Sequence, residues 1–206
     1  MNSTGKVSDS ELNAPSTAHP RVERLDVSTY RIPTDGPESD GTFEWNQTIL
    51  VLVQVHAAGK KGLGYTFADR ATASLIHDTF APLLIGADAL AVQSCWVAMR
   101  HAVRNLGRPG ISSMAISAVD IALWDLKARL LDLPLITLLG SIRDKVPAYG
   151  SGGFTSYSID QLQKQLAGWV NDGIDRVKMK IGREPDHDIE RVCAARQAIG
   201  TRGMIL

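Results

Sequence analysis

The spacing of apolar positions along the chain changes twice, and each change predicts a different kind of element. Between Val22 and about Phe67, apolar and polar residues alternate in three runs rich in β-branched residues, which is typical of half-buried strands. An antiparallel sheet is therefore predicted, with strands over 22–32, 48–57 and 63–67. The stretch 33–47 contains many turn-forming residues and is predicted as a loop, and a hairpin turn is predicted over 58–62.

Apolar residues recur at intervals of three and four after residue 68, which predicts helices. The predicted helices cover 69–80, 89–107, 112–131 and 134–139. The helix over 112–131 has the most regular pattern, a single apolar stripe made of Ile116, Val119, Leu123, Leu126 and Leu130. Pro82 is expected to end the first helix, because proline lacks the backbone donor that a helix interior needs.

Strands and helices alternate after Gly140, a rhythm that predicts parallel strands joined by right-handed crossovers. Strands are predicted over 146–149, 175–182 and 204–206, and helices over 158–173 and 186–199. A closed (β/α)₈ barrel takes roughly 250 residues, whereas only about 65 follow Gly140. We therefore expect the front part of a longer barrel. The expected regions are a disordered leader over 1–20, an α+β domain over 21–140 and a partial (β/α) barrel over 141–206.

Composition and charge argue against several classes of protein. Lysine plus arginine and aspartate plus glutamate both total 22, so the formal net charge is zero and gives no electrostatic reason to bind nucleic acid or an anionic membrane. The longest apolar run, 49–55, is far shorter than the ~20 residues that span a bilayer. The polar start of the chain lacks an apolar secretory segment, so a cytoplasmic protein is expected. The two cysteines, Cys95 and Cys193, are predicted to be buried thiols.

Lys178 and Lys180 are the strongest candidates for chemistry. Residues two apart on a strand share a face, so both amines point one way while Val177, Met179 and Ile181 point toward the flanking helices. In a barrel the lysine face is the interior, near the strand ends where barrel enzymes place their active sites. Neighbouring ammonium groups and burial both lower a lysine pKa, which can make one lysine a base. The alternative is a solvated edge strand with two surface lysines.

Other candidate residues carry weaker signals. The glycine-rich run 150–153 follows a predicted strand but matches neither the dinucleotide fingerprint nor the Walker pattern; a small doubly wound nucleotide-binding protein stays open as an alternative. Asp120 and Asp125 do not share a helix face, which favours surface or capping contacts. No histidine has a partner that justifies a metal site. Phe43 and Trp45 lie in the predicted loop, where they would either close over a small ligand or pack within the loop.

Two motifs resemble a known family. The first motif resembles the N-terminal signature of the mandelate racemase/muconate lactonizing enzyme family, which is part of the enolase superfamily. It consists of Met114-Ala-Ile-Ser-Ala-Val-Asp-Ile-Ala-Leu-Trp-Asp-Leu-Lys-Ala-Arg129, followed by Leu133-Pro-Leu135 and Leu138-Leu-Gly140. The family's Lys-x-Lys strand is similar to Val177-Lys-Met-Lys-Ile-Gly182. The resemblance covers nearly all of 22–206. It implies an α+β capping domain followed by the start of a TIM-type (β/α) barrel, truncated in its third strand.

The resemblance also implies an activity. Enzymes of this family bind a carboxylate substrate on Mg²⁺ and remove the proton α to the carboxylate. By position, Lys180 would be the base, and Lys178 would lower its pKa and help balance the substrate's negative charge. The predicted loop and segment 64–67 would close over the site, with Phe43, Trp45 and Tyr65 as substrate contacts, although family members commonly carry Glu where Tyr65 stands. A small carboxylate or acid-sugar substrate and a homo-oligomer are further implications.

The same resemblance implies that this chain lacks the Mg²⁺ ligands. The family takes them from acidic residues at the ends of the third, fourth and fifth barrel strands, and the third predicted strand has only begun at Leu206. We therefore expect the front portion of an acid-sugar dehydratase or a racemase, inactive as this chain. The alternative is a non-catalytic remnant, or a partner-binding fragment, of such an enzyme.

Overall fold

The computed structural model describes residues 19–201 and 203–206, so the predicted leader lies outside the described residues up to residue 18. An antiparallel sheet comes first, with strand order β1-β2-β3. Its strands are β1 (Arg24–Ser39), β2 (Glu44–Ala57) and β3 (Lys60–Phe67). The predicted hairpin turn between the second and third strands is found at Ala58 and Gly59, which both have a positive φ.

The prediction of a loop over 33–47 is wrong, because most of this stretch is strand. β1 and β2 pair as far as Ser39 and Glu44, with a register irregularity after Pro33. A proline is tolerated there because β1 is an edge strand, in which one side of the backbone has no partner strand to bond. Residues 40–43 alone form the turn, so β1 and β2 make one long hairpin.

A layer of helices follows the antiparallel sheet. It contains α1 (Arg70–Leu75), a π-helical turn (Ile76–Phe80), α2 (Ala81–Leu84), α3 (Val92–Ala102), α4 (Ile111–Leu130) and α5 (Leu135–Leu139). The first predicted helix therefore continues past Pro82. At the end of the π-helical turn the Ala81 N–H donates to Ile76, and Pro82 falls in the first turn of α2, where a missing backbone donor is tolerated.

α4 packs against β3 and completes the larger apolar core. The first four residues of the stripe predicted on α4 are buried, and Leu130 packs at the edge of the core. The two backbones approach closely at Gly64, where a Cβ would overlap the Ala118 carbonyl oxygen. The Leu63 N–H donates to the Asp125 carboxylate at 2.8 Å. Strand and helix are therefore joined by close backbone packing and by a specific hydrogen bond.

A second, parallel sheet follows α5, with strand order β4-β5-β6. Its elements are β4 (Gly150–Ser151), α6 (Ile159–Asn171), β5 (Arg176–Lys178), α7 (Pro185–Ile199) and β6 (Met204–Ile205). The alternation of strands and helices and the parallel pairing are as predicted. Ser158 and Gln161 form the predicted capping box at the start of α6. α6, α7 and β5 share a second apolar cluster.

Two smaller predictions are wrong in this region. Residues 146–149 form no strand; pairing begins at Gly150, which has no side chain and so lets the Trp169 ring lie directly on the strand. Cys193 is exposed rather than buried, because α7 turns Ala195 toward the core instead. Within the described part of the chain, no helix combines the length and the apolar character that crossing a membrane requires.

Candidate active site

β5 and the residues after it turn alternate side chains to the two faces of the parallel sheet. Val177 and Met179 are buried in the apolar cluster shared with α6 and α7. Lys178 and Lys180 are half-buried on the opposite face, as the alternation of a strand predicts. Ile181 differs from the prediction, since it is exposed. The chain has left the paired strand by that position.

Backbone hydrogen bonds hold the lysine segment against the loop that follows β4. The Lys180 N–H donates to the Gly153 carbonyl at 2.9 Å, and the Gly152 N–H donates to the Lys178 carbonyl at 3.3 Å. The two lysines therefore lie at the carboxyl end of the parallel strands. In sheets of this kind, ligands bind beyond that end.

The side chains of Lys178 and Lys180 lie on the same face of the sheet, near enough for the charge of Lys178 to act on Lys180. The pKa of Lys180 lies below its usual value, first because burial disfavours the charged form. The neighbouring Lys178 side chain, through the repulsion between the two charges among other effects, lowers this pKa further. A lysine with a lowered pKa holds more free amine near neutral pH and can accept a proton from a substrate.

The turn between β1 and β2 lies against this part of the parallel sheet. We call residues 37–45 the docked hairpin. The buried Ser39 hydroxyl lies 2.6 Å from the Thr155 hydroxyl, and the Thr155 N–H donates to the Ser39 carbonyl at 2.9 Å. The Thr155 hydroxyl donates to the Asp40 carbonyl at 3.0 Å, so it accepts its bond from Ser39. These bonds hold the hairpin to the loop after β4.

An aromatic contact and an ion pair extend the docking. The rings of Trp45 and Phe154 meet edge to face, with their centroids 5.6 Å apart. Arg183, in the loop after β5, pairs with Glu44 at 3.1 Å. The docked hairpin thus contacts the loops that follow the two neighbouring parallel strands β4 and β5.

Asp40 shapes the turn of the docked hairpin. Its Oδ1 accepts the backbone N–H of Phe43 at 2.8 Å and that of Thr42 at 2.7 Å. These bonds, the one from Phe43 first, hold the Asp40 pKa below its ordinary value, because they stabilise the carboxylate. Sequence reasoning missed Asp40 as a site residue. The available signal was the Asp40-Gly41 pair, which is typical of a tight turn.

The structure separates the three aromatic residues that were expected to contact substrate. Phe43 is 72% exposed at the turn of the docked hairpin, and Trp45 is half-buried in the same hairpin. Tyr65 lies on β3, in register with Leu52. That position is eight residues along β2 from residue 44, or ~26 Å of extended strand. Phe43 and Trp45 therefore lie within the docked hairpin, whereas Tyr65 lies away from it along the antiparallel sheet.

Two other predicted features have structural roles. The glycine-rich run 150–153 is packed: the Gly153 N–H donates to the Gln165 side chain at 2.8 Å, and a Cβ at Gly153 would lie 2.6 Å from that of Met179. A phosphate-binding loop needs free N–H groups, so this geometry gives no support to the nucleotide-binding alternative. Asp125, which bonds the backbone of β3, also pairs with Arg129 at 2.9 Å.

Across 19–201 and 203–206, no group of three or more histidine, cysteine, aspartate or glutamate side chains is placed so that it could hold a metal ion. The side chains of these residues therefore cannot bind a Mg²⁺ ion on their own.

Comparison with known proteins gives a consistent picture. Residues 32–140 match the family described as "Mandelate racemase / muconate lactonizing enzyme, N-terminal domain". The chain is 35% identical to a 3,6-anhydro-alpha-L-galactonate cycloisomerase of Streptomyces coelicolor, over 87% of this chain and 52% of that protein. It is 32% identical to an L-talarate/galactarate dehydratase of Salmonella typhimurium, over 87% and 48% respectively. The chain thus spans about half the length of the curated relatives it matches.

Solved structures share the arrangement. A mandelate racemase/muconate lactonizing enzyme-like protein from Rubrobacter xylanophilus is 56% identical with a TM-score of 0.88, over 90% of this chain and 52% of that one. The Salmonella dehydratase has been solved with Mg and L-lyxarohydroxamate; it superimposes with a TM-score of 0.81 at 28% identity, over 98% of this chain and 54% of that one.

Proposed function

The chain belongs to the mandelate racemase/muconate lactonizing enzyme family, and from that premise we propose that it is the front part of an enzyme that removes the proton α to a carboxylate. The antiparallel sheet and its helices are the N-terminal capping domain of this fold. β4, β5 and β6 would be the first strands of the barrel. The observation that carries the proposal is the half-buried lysine pair at the carboxyl end of these strands.

Lys180 is the base in this proposal. The free amine of Lys180 takes the α-proton and becomes an ammonium, while the electron pair of the broken C–H bond stays on the substrate. Lys178 has two roles: its charge favours the free amine on Lys180 before the reaction, and its own ammonium attracts the substrate carboxylate. The geometry supports these roles because both side chains lie half-buried on one face of the sheet.

The docked hairpin would cover the substrate. Phe43 is exposed at its turn and Trp45 is anchored against Phe154, so we assign Phe43 to a direct contact and Trp45 to the wall of the site. Tyr65, which the sequence suggests as a third contact, lies eight residues along β2 from residue 44 of the docked hairpin, so we assign it no contact with a substrate held under Phe43. A cover of this kind excludes water from the reacting atoms.

The substrate class follows from the relatives. One curated relative is an L-talarate/galactarate dehydratase and another is a 3,6-anhydro-alpha-L-galactonate cycloisomerase, which supports a small carboxylate or acid-sugar substrate. The proposed reaction is a dehydration or a racemisation, and the first of these relatives supports dehydration. The related dehydratase structure contains Mg, whereas the residues described in this chain do not fit that ion. We propose that a Mg²⁺ ion takes its ligands from the half of the relatives' length that this chain does not match.

An alternative is that the protein is a non-catalytic remnant or a partner-binding fragment of such an enzyme. The observation that favours it is the lack of a metal-binding group among the described residues. The codons that follow Leu206 in the gene separate the two proposals. Acidic residues soon after that position favour the enzyme, and an immediate stop codon favours the remnant.

Exchange of the substrate α-proton with solvent deuterium tests the role of Lys180. The protein encoded by the complete reading frame is incubated with Mg²⁺ and a panel of acid sugars in D₂O, and exchange is followed by NMR. We expect Lys180→Ala to slow exchange by at least about 100-fold, since general-base catalysis contributes roughly that much.

Lys164→Ala is the matched control, because Lys164 is an exposed lysine of α6 and its loss should leave exchange unchanged. Equal exchange rates in wild type and Lys180→Ala would remove Lys180 from the mechanism. A wild-type protein that exchanges no acid in the panel would support the non-catalytic alternative instead.

A further inference from the structure

Asp40 is the acidic residue that the docked hairpin brings to the lysine pair. Its neighbour Gly41 lies against the chain that follows Lys180, since a Cβ on Gly41 would be 2.8 Å from the Ile181 carbonyl oxygen. Its own carbonyl accepts from Thr155 at 3.0 Å. The backbone at Asp40 and Gly41 is therefore held by one contact to the loop after β4 and one to the chain that follows Lys180.

The charges of Asp40 and Lys180 act on each other. The Asp40 carboxylate favours the protonated form of Lys180, and the Lys180 ammonium contributes to lowering the Asp40 pKa. Lys178 acts on Lys180 in the opposite direction. In the described part of the chain, the charged groups that act on Lys180 are thus Lys178 from β5 and Asp40 from the docked hairpin.

These opposing effects have a chemical consequence. A base must lose its own proton near neutral pH, yet a base that holds a proton too weakly accepts one poorly from a carbon acid. Burial and Lys178 both drive Lys180 toward the free amine. The Asp40 carboxylate opposes this effect, so Lys180 retains more of its basicity. The same carboxylate is fixed by the turn of the capping domain, so its effect depends on the hairpin staying docked.

We propose that Asp40 is a positioning residue for Lys180, a fixed negative charge through which docking of the capping hairpin sets the balance between ammonium and free amine at the base. The catalytic meaning of this inference rests on the proposed function of Lys180. The electrostatic coupling itself does not, and it is measurable without substrate.

Asp40→Asn removes the negative charge of residue 40 but keeps the hydrogen bonds of the turn. The asparagine amide oxygen can accept the same N–H bonds from Thr42 and Phe43 that the carboxylate accepts, so the turn is retained while the charge is lost. The readout is the rate at which an amine-selective reagent modifies Lys180 in the full chain at a series of pH values, resolved from Lys178 by mass spectrometry.

We expect the pH midpoint of Lys180 modification to fall in Asp40→Asn. Below the midpoint, the modification rate should rise by at least about twofold, as loss of one partly solvated charge predicts. The difference should shrink in ~1 M salt, which screens exposed charges beyond ~3 Å. A role of Asp40 confined to the structure of the turn would not produce this salt dependence.

Two variants serve as controls. Asp35→Asn removes an exposed carboxylate from β1, outside the docked hairpin, and it should leave the Lys180 midpoint in place. Thr42→Val removes a hydrogen bond to Asp40 but retains the charge, and it should do the same. An unchanged midpoint in Asp40→Asn, or an equal shift in Asp35→Asn, would overturn the inference. Either result leaves the deuterium-exchange test of Lys180 unaffected, so the two proposals fail separately.

Discussion

The two cysteines show how strongly the surroundings of a single residue control its chemistry. Cys95 is 4% exposed on α3, and its thiol pKa is raised, first by burial and then by the negative charge of Asp88. Cys193 is exposed on α7. Because the thiolate is the reactive form, a thiol reagent should modify Cys193 rapidly and Cys95 at least ~10-fold more slowly in the native protein.

Absorbance of a chromogenic disulfide reagent measures this difference, with one fast thiol before denaturation and two after it. Cys193→Ser should remove the fast phase, and Cys95→Ser should leave it unchanged. Two fast thiols in the native protein would contradict the burial of Cys95.

The sequence predicted the orientation of single side chains correctly where that orientation depends only on neighbouring positions. The alternation of a strand predicts that Lys178 and Lys180 share a face, and the structure shows this arrangement. The sequence pattern could not identify Asp40 as a site residue, because nothing in the residues around position 40 indicates a lysine much further along the chain. Docking of the hairpin brings the backbone at Asp40 and Gly41 against the loop after β4 and the chain that follows Lys180.

At the scale of elements, the contact between α4 and β3 depends on the absence of a side chain. A Cβ at Gly64 would overlap the carbonyl oxygen of Ala118, which is backbone and cannot rotate away. Gly64→Ala should therefore push the helix from the strand and lower the free energy of unfolding by about 3 kcal/mol, the upper end of the usual cost of overpacking. Urea denaturation followed by circular dichroism measures the loss.

Gly168→Ala is the matched control for that substitution. Gly168 lies within α6 with no atom near its missing Cβ, so alanine there should raise the free energy of unfolding by about 0.5–1 kcal/mol, because glycine is a poor helix former. A Gly64→Ala variant as stable as wild type would show that the close approach of α4 and β3 is not needed.

Elements were predictable where the periodicity was strong, and not where distant contacts override it. The regular stripe of α4 and the capping box of α6 are encoded within a few turns of helix. The turn formers of 33–47 favour a loop, but pairing with β2 and docking against Thr155 hold most of this stretch as strand. The start of β4 at Gly150 depends likewise on Trp169, which α6 supplies.

At the scale of the whole molecule, the docked hairpin joins the antiparallel sheet to the parallel one. Ser39 and Thr155 are 116 residues apart in the sequence and 2.6 Å apart in the structure. Sequence patterns predicted both sheets, since each follows from the local spacing of apolar residues, but no such pattern relates one sheet to the other. The lysine pair lies where the two meet, so its proposed function depends on this joint as well as on β5.

A double-mutant cycle measures the coupling across the joint. Ser39 is 1% exposed, so Thr155→Val leaves its buried hydroxyl without an acceptor, and Ser39→Ala removes the donor to Thr155. Each single variant should lose about 1–2 kcal/mol of unfolding free energy, as broken buried hydrogen bonds do. The double variant should lose about 1 kcal/mol less than the sum, because the bond can be lost only once.

Ser113→Ala is the control, because it breaks a local bond to Arg108. Its loss of unfolding free energy should add to that of Thr155→Val without coupling. Strict additivity of Ser39→Ala and Thr155→Val in urea denaturation would mean that this hydrogen bond does not hold the two sheets together.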